Sequence, residues 1–339
     1  MGRKVTARDV AELAGVSRSA VSMVLNGRGD GDVSPENQEA IRQAAAQLRY
    51  RPNSVARSLR NQATHTIGVV TDSVASGTYG GAMIAAASRV AAEHDFLLLV
   101  VDSHKDAQLE QDAVDLLQAR QCDALMFVAE GLVPWQPPAA FHDDPCLLVN
   151  AFDPSGRALG IYGDEEQGGR EAARLVLDRG HREVVHLHGT TDVVAVGRRI
   201  AGYRQKFEAA GLPVRLVPCG WEIDDGWEVG GRVLDEQQPT AVVCANDRVA
   251  AGVHLAAAQR GLRIPEDLSV VGYDDDPSLA AQLGLSTVQI PFDDMGAQAM
   301  RTLLAHLDGV PLPTADVELP SRAVVRRSVA APAARGRRG

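Results

Sequence analysis

The sequence predicts an all-α headpiece built on a helix-turn-helix, followed by an α/β core of two doubly wound parallel-sheet subdomains. Three observations carry that reading. Three short amphipathic segments, each with its own capping residue, crowd into the first fifty residues. From residue 66 short apolar runs alternate with helical patterns, the rhythm of parallel strands covered by helices on both faces. That rhythm breaks at "GIYGDEEQGG" and then resumes, which predicts two similar subdomains with a cleft between them.

The elements of the headpiece follow from local chemistry. Thr6 and Asp9 have the spacing of a capping pair, so a helix starts at Ala7, with Val10, Leu13 and Ala14 as its apolar face. Gly15 ends it. Ser17 caps a second helix that runs to about Asn26, in which Val21, Val24 and Leu25 fall at i, i+3, i+4 and face inward. Arg18, Ser19, Ser22 and Met23 form the other face. Ser34-Pro35-Glu36 combines a cap, a Pro at the first helical position and an acid against the dipole. Ile41, Ala44, Ala45 and Leu48 give this third helix its buried stripe. Two short helices around a Gly turn, braced by a third, make a helix-turn-helix whose second helix suits a DNA major groove. A generic three-helix bundle has the same pattern.

Next comes "RPNSVARSLRNQ". Pro52 stops the third helix and Asn53 can cap a short, intrinsically weak new one containing Ala56 and Leu59. Arg57 and Arg60 bracket its apolar tip, as expected of a segment that folds when pressed into a minor groove with Leu59 as a wedge. A basic interdomain linker is the alternative. Charge agrees with a nucleic-acid partner for this end alone. Residues 1–65 hold 10 basic and 6 acidic residues, whereas the rest holds 24 and 38, within a chain of net charge −10.

In the core, "TIGVVTD", "FLLLVVDS", "ALMFVA" and "PCLLVNA" read as strands separated by helices near 80–93 and 107–121. "EVVHLHG", "VRLVPC", "AVVCAN" and "LSVVGYDD" follow, with helices near 166–179, 197–210, 226–237 and 248–260. In such sheets ligands sit beyond the carboxyl ends of the strands. Asn150, Asn246-Asp247 and Asp274-Asp275-Asp276 stand at those ends. Arg199 opens a helix, and Trp221 follows a strand. Carboxylate, amide, guanidinium and an indole face together suit a polyol or sugar. Helix capping is the alternative for Asn246, Asp247 and Asp274.

Other chemistry finds little support. Consecutive acids at 274–276 cannot all converge on a cation. His186 and His188 share a strand face but have no evident third ligand, so no metal is expected. Neither phosphate-cradling Gly-rich motif is present, and no nucleophile elbow supports a Ser-His-Asp triad, so no cofactor and no enzymatic activity are expected. Cys122, Cys146, Cys219 and Cys244 are scattered and read as reduced, buried thiols. No apolar run reaches the roughly 18 residues that span a bilayer, and the start lacks a secretory apolar region, so a cytoplasmic protein without a membrane partner is expected.

"TARDVAELAGVSRSAVSMVLNG", "VSPENQEAIRQAAAQL" and "YRPNSVARSLR" resemble the headpiece and hinge of the lactose-repressor (LacI/GalR) family of bacterial transcription regulators. The resemblance continues to near residue 328, and the core also resembles periplasmic sugar-binding proteins. It implies that Arg18 and Ser19 occupy the chief specificity positions of a recognition helix that also contains Ser17, Ser22, Met23 and Asn26. It implies a hinge with Asn53, Ala56 and Leu59 in the minor groove. It also implies that Asn150, Arg199, Trp221, Asn246 and Asp274 line an effector cleft. Three positions depart from the family pattern: Ala20 for Thr, Met23 where Arg often reads a guanine, and Arg49 where Gly or Asn is frequent. The usual Asn-Pro-aromatic stretch after the first strand is replaced by "DSVASGTYGG", leaving Ser76 and Tyr79 as effector candidates.

The expected organisation is a DNA-binding domain at 1–51, hinge and linker at 52–65, core at 66–330 and a disordered tail at 331–339. Within the core, one subdomain takes 66–164 and 291–320, the other 165–290 and 321–330. The resulting expectation is a repressor that binds a palindromic double-stranded DNA operator as a homodimer and responds to a small-molecule effector, a sugar or derivative. An α/β ligand-binding or enzymatic protein whose bundle serves only protein contacts is the competing class.

Overall fold

In the computed structural model the chain divides into two compact units, Met1–His65 and Thr66–Gly339. Residues 5–25, 31–50, 63–73, 79–189 and 193–333 are described. Asn26, Asn53, Ala56, Leu59 and Ser76 therefore lie outside the described residues, as do most of the expected hinge and residues 334–339.

The first unit contains α1 (Ala7–Ala14), α2 (Arg18–Leu25) and α3 (Pro35–Gln47). The Thr6 amide and hydroxyl both donate to Asp9 Oδ2 at 2.7 Å. Gly15, at φ +68°, supplies the left-handed turn after α1. Ser17 Oγ accepts from the Ala20 amide at 3.1 Å, and Ser34 Oγ from the Asn37 amide at 3.4 Å. Val10, Val21 and Ile41 meet at the centre with Val24, Ala44 and Ala45. Leu13, expected on the buried face, is instead 47% exposed. The inward stripe of α1 runs through Val10 and Ala11, because so small a module covers only a narrow band of each helix. At the end of α3, Arg49 takes φ +50°, the conformation that favours Gly or Asn, and the Tyr50 amide reaches back to Ala45 O at 2.8 Å.

The second unit has two parallel sheets. The first contains β1 (Thr66–Thr71), β2 (Leu97–Asp102), β3 (Ala124–Pro134), β4 (Cys146–Phe152), β5 (Leu159–Asp164) and β11 (Val317–Pro320), in the order β2-β1-β3-β4-β5-β11. The second contains β6 (Val184–His188), β7 (Leu216–Pro218), β8 (Ala241–Cys244) and β9 (Ser269–Val271), in the order β7-β6-β8-β9. A short antiparallel pair, β10 (Thr287–Gln289) with β12 (Arg322–Val324), lies beside the second sheet. Both sheets change winding direction beside their first strand, between β1 and β3 and between β6 and β8. That switch leaves a crevice outside the carboxyl ends of the strands.

Helices α4 (Gly80–Glu93) and α10 (Phe292–Leu307) cover one face of the first sheet, and α5 (Ala107–Ala119) the other. In the second sheet α6 (Glu165–Leu177) packs with α7 (Val194–Ala209), and α8 (Ile223–Glu236) with α9 (Asp247–Gln259). The chain passes between the sheets after β5, after β10 and after β11. Residues 160–169 break the sequence rhythm of strands and helices. The first half of this stretch is β5, where an added Cβ at Gly160 would sit 2.7 Å from Ala151 O, so strand pairing there requires glycine.

Candidate functional site

On the outer side of the headpiece, Ser17, Arg18 and Ser19 are exposed at the start of α2, and the Ser17 and Ser19 hydroxyls lie 2.8 Å apart. Arg18 forms no ion pair among the described residues. Ser22 and Met23 are only half-exposed, and Met23 packs against the hydrophobic core. The free face of α2 is therefore centred on Arg18 and Ser19, with Met23 at its margin.

In the core, an ion pair links Arg199 with Asp274 and a hydrogen bond links Asn246 with Trp221. The placement of Arg199 depends on glycines. An added Cβ at Gly169 would lie 2.0 Å from Arg199 O, and one at Gly202 would lie 1.8 Å from Glu166 O. Only this close approach of α6 and α7 brings Arg199 over the first residue of α6. Arg199 Nε donates to Glu165 Oε2 at 2.7 Å and Nη2 to Glu165 Oε1 at 3.1 Å, a bidentate pair with both side chains largely buried. Its guanidinium stacks 3.8 Å above the Tyr273 ring, and the Tyr273 hydroxyl donates to Glu165 Oε2 at 2.9 Å. Nη1 donates to Ala245 O at 3.1 Å, and Nη2 lies 3.8 Å from Asp274 Oδ1. Two of the five N–H donors are thus left for something else.

Asn246 caps α9 by accepting from the Val249 amide at 2.8 Å, and its Nδ2 donates to Trp221 O at 2.9 Å. The Trp221 ring in turn packs on Gly189, where a Cβ would lie 2.3 Å from Cζ2. Asn246 is therefore both a cap and the anchor of Trp221. Asp274 is no cap. It has φ +97°, and burial outweighs Arg199 to push its carboxyl up to about 6.

Across the crevice Asn150, at φ +55°, donates through Nδ2 to Ala129 O at 3.3 Å and Glu130 O at 3.1 Å. The Glu130 carboxylate accepts from the amides of Gly80 at 3.1 Å and Tyr79 at 3.4 Å, at the start of α4. Tyr79 stacks on Phe292 at 4.9 Å. Burial and the nearby Asp274, Asp276 and Asp247 raise its phenol well above the ordinary range. The hydroxyl faces that acidic group without completing a hydrogen bond to any described residue.

The acidic triplet diverges. Asp275 pairs with Arg326 at 2.8 Å, and Asp276 Oδ1 accepts from the amide and hydroxyl of Ser278. Asp247 accepts from Thr287 Oγ1 and the Asp276 amide, and burial with Asp274 pushes it up to about 8. Among the described residues no group of three or more His, Cys, Asp or Glu is placed to hold a metal ion. His186 is a core residue, its ring tilted at 41° against that of Tyr203 with centroids 4.6 Å apart, and is pushed down to about 3 by burial. Glu165, Tyr273, Glu130, Asp72 and Phe292 were not among the sequence candidates. Only Glu165 carries a local signal, an acid at a helix start, and that signal predicts capping.

Comparison with known proteins follows the same division. "Bacterial regulatory proteins, lacI family" matches residues 6–53, and "periplasmic binding protein-like domain" matches residues 172–329. The HTH-type transcriptional regulator AscG of Escherichia coli K12 is 31% identical, covering 90% of this chain and 92% of that protein. Catabolite control protein A of Priestia megaterium is 28% identical over 96% of this chain and 99% of its own length. The crystal structure of the Lac repressor dimer bound to operator and the anti-inducer ONPF superposes with a TM-score of 0.82 at 29% identity, covering 97% of this chain and 100% of that one. The CelR–cellobiose complex gives 0.67 at 25% identity, covering 96% and 100%. These proteins are transcriptional regulators, not enzymes.

Proposed function

This chain belongs to the lacI family of bacterial regulatory proteins, DNA-binding transcriptional regulators, and we propose that it is a cytoplasmic repressor controlled by a sugar or sugar derivative. The observation that carries the reading is the joint presence of an exposed, capped α2 and a polar crevice between two switch points. A single headpiece contacts few phosphates, so tight binding takes two, held at a half-site spacing of about one DNA turn on a palindromic operator. Arg18 and Ser19 are assigned to base edges, Ser17, Ser22, Met23 and Asn26 to the flanks of that contact. Asn53, Ala56 and Leu59 are assigned to a hinge in the minor groove, with Leu59 as the wedge.

The second headpiece comes from a second copy of the chain. Support lies in apolar side chains left in water: Leu97, Leu99 and Val100 along the edge strand β2, and Trp227 and Leu255 on α8 and α9. The Lac repressor neighbour is itself a dimer on operator.

The effector site takes Asn150, Arg199, Trp221, Asn246 and Asp274, with Tyr79 and Ser76 as further candidates. Amides and carboxylates bond hydroxyls, and the indole stacks on a C–H face. An effector that binds one closure state better than the other shifts the spacing of the two hinges and with it DNA affinity. Induction by the sugar is the direction favoured by the family.

Retention of genomic fragments at low ionic strength, with and without a panel of sugars, tests the reading. The full chain is expected to retain a discrete palindromic set, and a chain lacking residues 1–60 to lose it while keeping its sugar response. A full chain that retains no fragment under any condition refutes the proposal.

A further inference from the structure

We propose that the core carries a second ligand site, which takes the phosphoryl group of a small organic phosphate between Arg301 and Arg322. The site is a cavity of about 290 Å³ whose walls include Gln289, Asp294, Gln298, Arg301, Leu319 and Arg322, none of them an effector candidate. Local geometry brings these side chains together. Asp294, Gln298 and Arg301 stand at i, i+4 and i+7 on α10 and so share one stripe of that helix. Gln289 and Arg322 are register partners in the antiparallel pair β10–β12, so their side chains leave the same face of it. Leu319 lies on β11, at the edge of the first sheet. The walls therefore come from both sides of the crossovers after β10 and β11. An anion held by both guanidiniums spans them.

Charge decides the class of ligand. Arg301 and Arg322 are exposed, and neither forms a hydrogen bond or an ion pair among the described residues. Acids that adjoin the cavity are committed to other cations. Asp293 pairs with Arg89 at 3.3 Å and Glu318 with Arg198 at 3.3 Å. Asp275, which accepts from Gln289 Nε2 at 3.5 Å, pairs with Arg326 at 2.8 Å. Two guanidiniums against Asp294 leave the walls net positive, in a chain of net charge −10. A phosphoryl group fans three oxygens tetrahedrally and accepts a guanidinium fork from each of two directions, whereas one planar carboxylate accepts a single bidentate fork. Gln289 and Gln298 add amide N–H donors. Leu319, Pro291 and Pro320 offer apolar surface to a carbon body, which the volume limits to a few atoms. Asp294 can accept a hydroxyl of that body.

The test uses inorganic phosphate as the probe and thermal unfolding of the core in the full chain as the readout, at constant ionic strength set with chloride. The parent protein is expected to show saturable stabilisation by phosphate in the millimolar range, and none by acetate. Arg301→Gln and Arg322→Gln should each raise the midpoint about tenfold or more, as the loss of a charge-assisted bond does. Asp294→Asn removes the like charge and should lower the midpoint a few-fold. Arg120→Gln deletes the same charge just after α5 and should leave the midpoint unchanged. All four side chains are exposed, so each variant keeps the fold. A parent without a saturable phosphate effect overturns the proposal. So does either Arg301→Gln or Arg322→Gln with the parent's midpoint, an equal loss in Arg120→Gln, or acetate that stabilises as phosphate does. The readout involves neither DNA nor sugar, so a failure here is distinct from a failure of the regulator reading.

Discussion

Truncating Glu165 to Ala isolates the strongest electrostatic contact in the cleft. The residue is almost fully buried and holds Arg199 by two bonds of 2.7 and 3.1 Å, while accepting a third from Tyr273 at 2.9 Å. Removing one partner of a buried pair leaves the other charged and desolvated, which costs about 3–5 kcal/mol. Arg199 keeps its Tyr273 stacking and the Ala245 carbonyl, so the lower half of that range is expected. In a unit of this size each kcal/mol lowers the melting temperature by about 2–4 °C, so the core transition should fall by roughly 6–16 °C. Calorimetry of the core transition reads this directly. Replacing both partners with apolar residues of similar size, Glu165→Leu with Arg199→Met, removes the unpaired charge and should recover most of the loss. A single variant that falls by less than about 1 kcal/mol, or a double variant no more stable than the single, would refute the claim that the charge pair sets the energetics here.

The remaining tests probe other parts of the chain. Met23→Arg is expected to tighten binding to operators with a G at the facing step by about 1–3 kcal/mol, and an unchanged ranking of operator variants in a titration would contradict it. Arg49→Gly should raise the stability of the headpiece by about 1 kcal/mol in urea, since φ +50° costs arginine more than glycine. Asp247, pushed up to about 8, binds its proton more tightly folded than unfolded, so its contribution is full below about pH 4 and is lost as pH rises through about 8. His186 and His254, pushed down to about 3 and about 4, act oppositely, but only below their ordinary range near 6.5. Melting temperature should therefore decline between about pH 6.5 and 8.5, and Asp247→Asn should flatten that limb. Leu255→Asp, on a side chain 54% exposed, should shift the chain toward monomer in sedimentation if α9 faces a second copy.

The helices and inner strands were legible because their signals are local. Thr6 with Asp9, Ser17 and Ser34 each fix a helix start through a bond to a neighbour within three residues, and the runs beginning at residues 66, 96, 124 and 145 are apolar enough to read as strands. Leu13 misled because apolar character says that a side chain can be buried, not that a small module has room for it. β5 begins the stretch "GIYGDEEQGG" where the strand rhythm breaks, although Gly160 is required there by the close approach of Ala151. Neither fact exists at the level of a ten-residue window.

The cleft shows the same limit more sharply. Asn150, Asn246 and Asp274 could be found because strand ends in a doubly wound sheet are predictable positions, whatever the residue. Glu130 could not. It directly follows the run "ALMFVA", and its contact is not local: only the register shift after Val128 turns its carboxylate toward α4, some fifty residues away in sequence. Glu165 was visible but pointed to the wrong role, since an acid at the first position of a helix is explained by the dipole alone. What makes it matter is Arg199, thirty-four residues on, brought over it by the missing side chains of Gly169 and Gly202. Candidate ligand contacts follow from position in the fold, whereas the groups that set the charge and orientation of those contacts come from segments whose own sequence describes only packing.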